Sequence, residues 1–196
     1  MLPSEPEVTI IRRFFIKGHP RRSHSPIPVI WQPPKIGWFK VNIDGAALGS
    51  PGPAAGGGIF RNHLGDFIGG FSVSLGSTLA FRAELIATMY AIELSFRYGW
   101  RSLWLESDSE LVVRAFATPS VVPWDLRNRW QNCLSILPSM RFYVTHIFRE
   151  GNICADWLAK YGLSQNGLLW LSSIPAPLFS LVQFNKSGMP AYRFCF

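Results

Sequence analysis

The chain has 196 residues, 48% of them hydrophobic and 16% charged, with a formal net charge of +7. That length fits one domain with extensions, and that apolar content excludes a wholly disordered chain. Three cysteines (Cys133, Cys154 and Cys195) without a CxxC pair argue against a disulfide framework or a zinc module. A reducing intracellular compartment is expected, nucleus or cytoplasm, with an organelle open as well. No run of eighteen uncharged apolar residues occurs, so no membrane span is expected.

The basic excess is uneven. Residues 1–37 hold six Lys/Arg against two Glu, and 164–196 hold two against none. Between them, 38–163 are nearly neutral at eleven against ten. Residues 1–37 read as an irregular, proline-rich basic arm, with at most a short strand at 12–16. At 38–44 apolar and polar residues alternate, which predicts a strand with one buried face. A Gly/Pro loop leads to a second strand at about 56–61, and a turn at 62–66 leads to a third at about 67–75. Three strands on short connections imply an antiparallel meander.

Thr78 is expected to cap a long helix at about 79–98, where Leu85, Met89, Ile92 and Phe96 form an apolar stripe. Gly99 ends it. An apolar strand follows at 102–106, then a helix at about 109–117 capped by Ser107 or Asp108. A Pro-bounded helical segment covers about 124–137. Residues 141–148 read as a fifth strand and 152–161 as a last helix, closed by Gly162. After Leu163 periodicity is lost, and 164–196 read as an apolar tail that packs on the domain or docks a protein partner. The element order implies a mixed α/β sheet with helices on its faces.

Four acids fall at particular stations of this order. Asp44 and Asp108 end strands, Glu84 lies on the small-residue stripe of the long helix, and Asp156 lies in the last helix. Singly, each has an ordinary reading as a turn residue, a helix cap or a solvated helical acid. Together, at strand ends and on sheet-facing helices, they point to a cluster that divalent cations would neutralise. Two such ions are the usual apparatus for attack of water on a phosphodiester. His146, just before the loop into the last helix, is a candidate proton shuttle or a satisfied structural residue.

The stretch 38–163 resembles a type 1 ribonuclease H domain. It is most similar to the plant form found in retroelement reverse transcriptases and in related free-standing plant proteins. Five pieces carry the resemblance in order. They are Asn42-Ile43-Asp44-Gly45-Ala46, Leu48-Gly49-Ser50-Pro51-Gly52-Pro53, Arg82-Ala83-Glu84-Leu85, Glu106-Ser107-Asp108-Ser109 and the run from Arg149 to Ala159 around Asp156. Trp31-Gln32-Pro33-Pro34 and Gly37-Trp38 resemble the segment that precedes the domain in plant members.

The resemblance implies a ribonuclease H-like fold with a five-stranded mixed sheet in the order 3-2-1-4-5 and helices on both faces. It implies Mg²⁺ or Mn²⁺, two ions per site, held by Asp44, Glu84, Asp108 and Asp156, with His146 as the mobile catalytic histidine. It implies endonucleolytic cleavage of the RNA strand of an RNA–DNA hybrid by a monomer. Gly45, Ala46, Ser50, Ser109 and Asn152 are the implied nucleic-acid contacts. The chain departs from bacterial members at Ser50 and Glu110, where Asn and Gln are frequent, and it lacks their basic handle. The alternative reading is a catalytically weak or inactive retroelement-derived module that binds nucleic acid or protein. On either reading the basic arm is a candidate source of the charge that grips a duplex.

Overall fold

The computed structural model describes residues 26–194. The strand expected at 12–16 and the basic residues 12–22 of the arm lie outside the described residues. Contacts divide the chain into a unit of residues 28–193 and a unit of 1–27 with 194–196. The site lies in the former.

In chain order the elements are β1 (Ile27–Val29), β2 (Phe39–Ala47), β3 (Gly52–Arg61), β4 (Phe67–Thr78), α1 (Ala80–Arg97) and β5 (Ser102–Ser107). There follow α2 (Glu110–Ala117), α3 (Arg127–Ile136), β6 (Arg141–His146), α4 (Ile153–Gly162), β7 (Leu168–Leu171), α5 (Ala176–Lys186) and β8 (Ala191–Arg193). No described helix is long and apolar enough to cross a membrane.

The expected five-stranded sheet in the order 3-2-1-4-5 is overturned. The sheet has six strands in the order β6-β5-β2-β3-β4-β7, and β1 pairs with β8 in a separate two-stranded sheet. The sixth strand comes from the segment read as a tail: Leu168–Leu171 pair antiparallel with Val73–Gly70. Its Trp170 explains why it docks there. The ring stacks on Tyr98 with 4.7 Å between centroids and lies against Phe60 at 5.9 Å. Gly69 makes room, since a Cβ there would stand 2.4 Å from the indole. Aromatic burial of this size outweighs the weak propensity of a four-residue strand. Trp170→Ala is expected to lower stability by about 2 kcal/mol, read as a lower urea midpoint. An unchanged midpoint would mean that β7 does not hold the sheet edge.

The core is one large cluster around Ile43, Phe60, Phe71, Leu85, Met89 and Leu105, with a smaller one joining α4 to α5 through Leu158, Leu178 and Val182. Consecutive glycines of β3 set the two helix layers, because successive strand residues face opposite sides. A Cβ on Gly56 would stand 2.9 Å from Ala87 of α1, and one on Gly57 would stand 2.3 Å from the Ala159 nitrogen of α4.

Three local expectations fail for identifiable reasons. Leu79, not Thr78, is the N-cap of α1, and the Thr78 hydroxyl instead accepts from Arg82 Nε at 3.0 Å. Ser109, not Ser107 or Asp108, caps α2. Gly162 lies within α4 rather than closing it, and its need for glycine is packing: a Cβ would meet Ser72 Oγ at 2.7 Å and Ala55 Cβ at 2.8 Å.

The expectation of one buried face for β2 also fails. Lys40 and Asn42, on its polar side, are fully buried. Trp31, from the segment ahead of the strand, covers that side and is itself 2% exposed. Its ring lies 3.6 Å from the Arg61 guanidinium and 5.0 Å from Lys40 Nζ.

Candidate active site

β2, β5 and β6 run parallel, with Ile43, Ser107 and His146 in register at their C-terminal ends. Asp44 and Asp108 therefore lie side by side; Asp108 follows β5 directly, whereas Asp44, expected to end its strand, lies within β2, which pairs with β3 as far as Ala47. α1 reaches the same edge because Gly45 lacks a side chain: a Cβ there would lie 2.3 Å from the Glu84 nitrogen. α4, seated at Gly57 opposite Asp44, brings Asp156. All four acids line one pocket of about 300 Å³, together with Gly45, Ala46, Arg149 and Lys160.

The pocket is electrostatically loaded. Burial, then the charges of Asp108, Asp156 and Glu84, push the Asp44 carboxyl up to about 8, against a hydrogen bond from Gly45 N. Burial, with Asp108 adding, pushes Glu84 up to about 7, opposed by a hydrogen bond from the Ser109 hydroxyl. Asp108 is raised as well, mainly by burial. Such a cluster holds protons near neutral pH unless cations replace them.

A resident divalent cation is implied by the resemblance, and the donors fit it in kind. They are carboxylate oxygens gathered in one pocket, as Mg²⁺ or Mn²⁺ prefers. They do not form a closed cage. Among the described residues no three of His, Cys, Asp and Glu converge as a ready metal group. Asp156 is also engaged elsewhere, with Lys160 Nζ at 2.7 Å from Oδ2 and Arg149 at 3.7 Å from Oδ1.

The remaining sequence candidates are placed variously. His146 is exposed, and its Nε2 lies 3.1 Å from the Asp108 backbone carbonyl. A carbonyl only accepts, so that nitrogen carries the proton. His146 lines a second pocket of about 310 Å³ with Trp104, Glu106 and Phe148, not the acid-lined one. Ser50 is exposed in the β2–β3 turn. The Gly45 N–H is spent on Asp44 Oδ1 at 2.7 Å. Ser109 caps α2 by accepting from Val112 N at 3.4 Å while donating to Glu84. Ser109→Ala is expected to cost about 1 kcal/mol and to raise the Glu84 pKa further. A melt and a carboxyl titration by NMR would check both, and an unmoved Glu84 would refute the hydrogen bond's role.

Asn152 is fully buried. Its amide donates to the Ile43 carbonyl at 2.9 Å and to Asp108 Oδ1 at 3.0 Å. It belongs to a buried polar network that sequence reasoning missed. Asn42 Nδ2 donates to Glu106 Oε2 at 2.8 Å and to Asn152 Oδ1 at 3.2 Å. Asn42 Oδ1 accepts from Trp31 Nε1 at 2.9 Å and from Arg61 Nη2 at 2.7 Å. Lys40 Nζ reaches Glu106 Oε2 and the Gln32 carbonyl, each at 2.8 Å. Burial lowers Lys40 to about 8, against the Glu106 charge. The signal for this network was present in the even positions of 38–44, which alternation assigns to solvent.

Comparison with known proteins agrees with this architecture. The model of the reverse transcriptase-like family matches residues 42–162. Ribonuclease HI of Halobacterium salinarum is 30% identical over 144 residues, covering 72% of each protein. An Arabidopsis thaliana protein named for a ribonuclease H is 33% identical over 160 residues, which is 81% of this chain and 26% of the relative. The chain thus spans about a quarter of that relative's length. Among solved structures, RNase H1 of Halobacterium salinarum superposes with a TM-score of 0.57 at 29% identity, covering 64% of this chain and 96% of that one. An RNase H1 isolated from compost, crystallised with an RNA/DNA hybrid, gives 0.56 at 26% identity, with the same 64% and 96% coverage. The chain belongs to the reverse transcriptase-like family and carries a type 1 ribonuclease H-like domain.

Proposed function

We propose that this domain is a divalent-cation-dependent endonuclease that hydrolyses the RNA strand of RNA–DNA hybrids. The observation that carries the reading is that Asp44, Glu84, Asp108 and Asp156 line one pocket. The hybrid bound by the compost enzyme supports the substrate class. We take residues 38–163 as the catalytic domain and the reverse-transcriptase-associated plant lineage as its origin, on the family match and the Arabidopsis relative.

When bound, Mg²⁺ or Mn²⁺, two ions per site, would supply an activated water and neutralise charge at the scissile phosphate. The chain's own residues do the rest. Asp44 and Asp108 from the sheet, Glu84 from α1 and Asp156 from α4 would hold the ions from the lining of this pocket. With Nε2 engaged on the Asp108 carbonyl, His146 has Nδ1 as the nitrogen that takes up a proton. Gly45 and Ala46, which line this pocket, and Ser50 and Ser109 would contact the hybrid. RNA selectivity would rest on 2′-hydroxyl contacts across the shallow groove.

A specific observation favours a second reading, a catalytically weak module that retains nucleic-acid or protein binding. Lys160 and Arg149 place cationic groups on Asp156 inside the pocket. Strand-specific labelling of a hybrid, incubated with Mg²⁺ and then Mn²⁺, separates the two. Cleavage confined to the RNA strand supports the nuclease. A folded protein that binds hybrid and leaves it intact supports the weak module.

A further inference from the structure

We infer that the C-terminal helix α5 is part of the catalytic apparatus, and that Asn185, through Arg61 and Asn42, is a positioning residue for Asp108. The inference rests on the nuclease reading above. An unbroken hydrogen-bonded path joins the two. Arg61 Nη1 donates to Asn185 Oδ1 at 2.8 Å, and Nη2 of the same guanidinium donates to Asn42 Oδ1 at 2.7 Å. Asn42 Nδ2 donates to Asn152 Oδ1 at 3.2 Å, and Asn152 Nδ2 donates to Asp108 Oδ1 at 3.0 Å. Arg61, Asn42 and Asn152 are fully buried, and Asn185 is nearly so.

The chemistry of the ends dictates the middle. A guanidinium only donates and a carboxylate only accepts. Arg61 therefore turns the Asn42 oxygen toward itself, which points the Asn42 NH₂ at Asn152. That in turn points the Asn152 NH₂ at Asp108. Second acceptors hold each amide in the same sense: Glu106 Oε2 takes the other Asn42 proton and the Ile43 carbonyl takes the other Asn152 proton. A one-directional chain of this kind strengthens its own links by polarisation. Its far anchor is the Asn185 oxygen, which together with the Trp31 ring 3.6 Å from the guanidinium holds the rotamer of a long side chain that makes no salt bridge among the described residues. A helix in the segment read as an aperiodic apolar tail is thus joined to Asp108 of the active site.

The test compares Asn185→Leu with Asn185→Asp, in the full chain. The carboxylate still accepts from Arg61, whereas leucine does not. The readouts are Mn²⁺ affinity by electron paramagnetic resonance, the side-chain NH₂ resonance of Asn152 by NMR, and kcat and KM on a hybrid. Asn185→Leu is expected to lower kcat and Mn²⁺ affinity about five- to tenfold, the worth of one ordinary hydrogen bond, with KM unchanged. The Asn152 resonance should move, and Asn185→Asp should restore all three. A folded Asn185→Leu with parental Mn²⁺ affinity and an unmoved Asn152 resonance would overturn the inference. Should the leucine variant fail to fold, Asn42→Asp carries the test. It keeps the acceptor for Arg61 but sets an acceptor against the Asn152 oxygen, so a folded variant with parental Mn²⁺ affinity overturns the inference equally. A parent chain that cleaves no hybrid defeats the nuclease reading alone, because the Asn152 resonance still decides the path.

Discussion

Asp108→Asn is expected to lower hybrid cleavage by a factor on the order of 10³ while leaving the domain at least as stable as the parent. The two halves of that expectation have one cause. Asp108 lies in a pocket where it raises the pKa of both Asp44 and Glu84. Removing its charge relieves repulsion in the folded state, which the unfolded chain does not feel. The substitution is nearly isosteric, and the oxygen of the new amide can still accept from Asn152 Nδ2, as Oδ1 does at 3.0 Å. Packing is therefore preserved, and only the charge for a cation and the scissile phosphate is lost. A factor of 10³ corresponds to about 4 kcal/mol of barrier. An acid retained for structure behaves in the opposite way, because losing it leaves its partners unpaired and lowers stability. Cleavage of an end-labelled hybrid, beside a urea melt of each protein, measures both. A variant that cuts at the parental rate would remove Asp108 from the chemistry, and one that is inactive because it is unfolded would make it structural.

The acids were legible in the sequence because each sits where periodicity changes. Asp44 closes the alternating run 38–44, although its strand continues to Ala47, Asp108 follows an apolar strand, and Glu84 stands on a small-residue stripe. Asp156 lies in an apolar helix. Local pattern suffices to find such boundaries. The sixth strand was not legible because Leu168–Leu171 is a continuous apolar run without alternation, followed by Pro175 and Pro177. What makes it a strand is Trp170 meeting Tyr98 and Phe60, contacts distant in sequence. The buried network was hidden for a related reason. Alternation in 38–44 correctly separates two faces, but polarity alone assigns Lys40 and Asn42 to water. Trp31 from the preceding segment and Arg61 from the neighbouring strand make that face an interior. A lysine 2.8 Å from Glu106 is stable there because it meets a carboxylate, and the guanidinium because it meets the Asn42 and Asn185 oxygens and the face of an indole. The cap of α2 shows the smaller scale of the same limit. Ser107, Asp108 and Ser109 are all good caps, and the pocket decides among them by recruiting Asp108 and leaving the helix to Ser109.

Without a divalent cation, the domain should lose stability as pH rises from about 4 to about 8. The Asp44 carboxyl is raised from 3.8 to about 8 and Glu84 from 4.5 to about 7. A raised acid binds a proton in the folded state over a range where the unfolded chain has released it. Stability therefore falls with pH across that range, and is highest, as far as these groups are concerned, below the unfolded pKa. For Asp44 alone the upper bound is about 6 kcal/mol, at about 1.4 kcal/mol per pH unit. Sharing of protons among Asp44, Glu84 and Asp108 reduces it, since the three titrate as a group. Asp44→Asn should flatten the profile, gaining stability at pH 8 and little at pH 5. Mg²⁺ should flatten the parent's profile in the same way, by mass action on the ionised cluster. Thermal melts in EDTA and in Mg²⁺ at pH 5, 6.5 and 8 distinguish the possibilities. A parent whose melting temperature in EDTA does not fall toward pH 8 has no strained acid cluster. A fall that Mg²⁺ does not reverse means that the cluster exists but takes up no divalent cation, which is the result expected of the catalytically weak module.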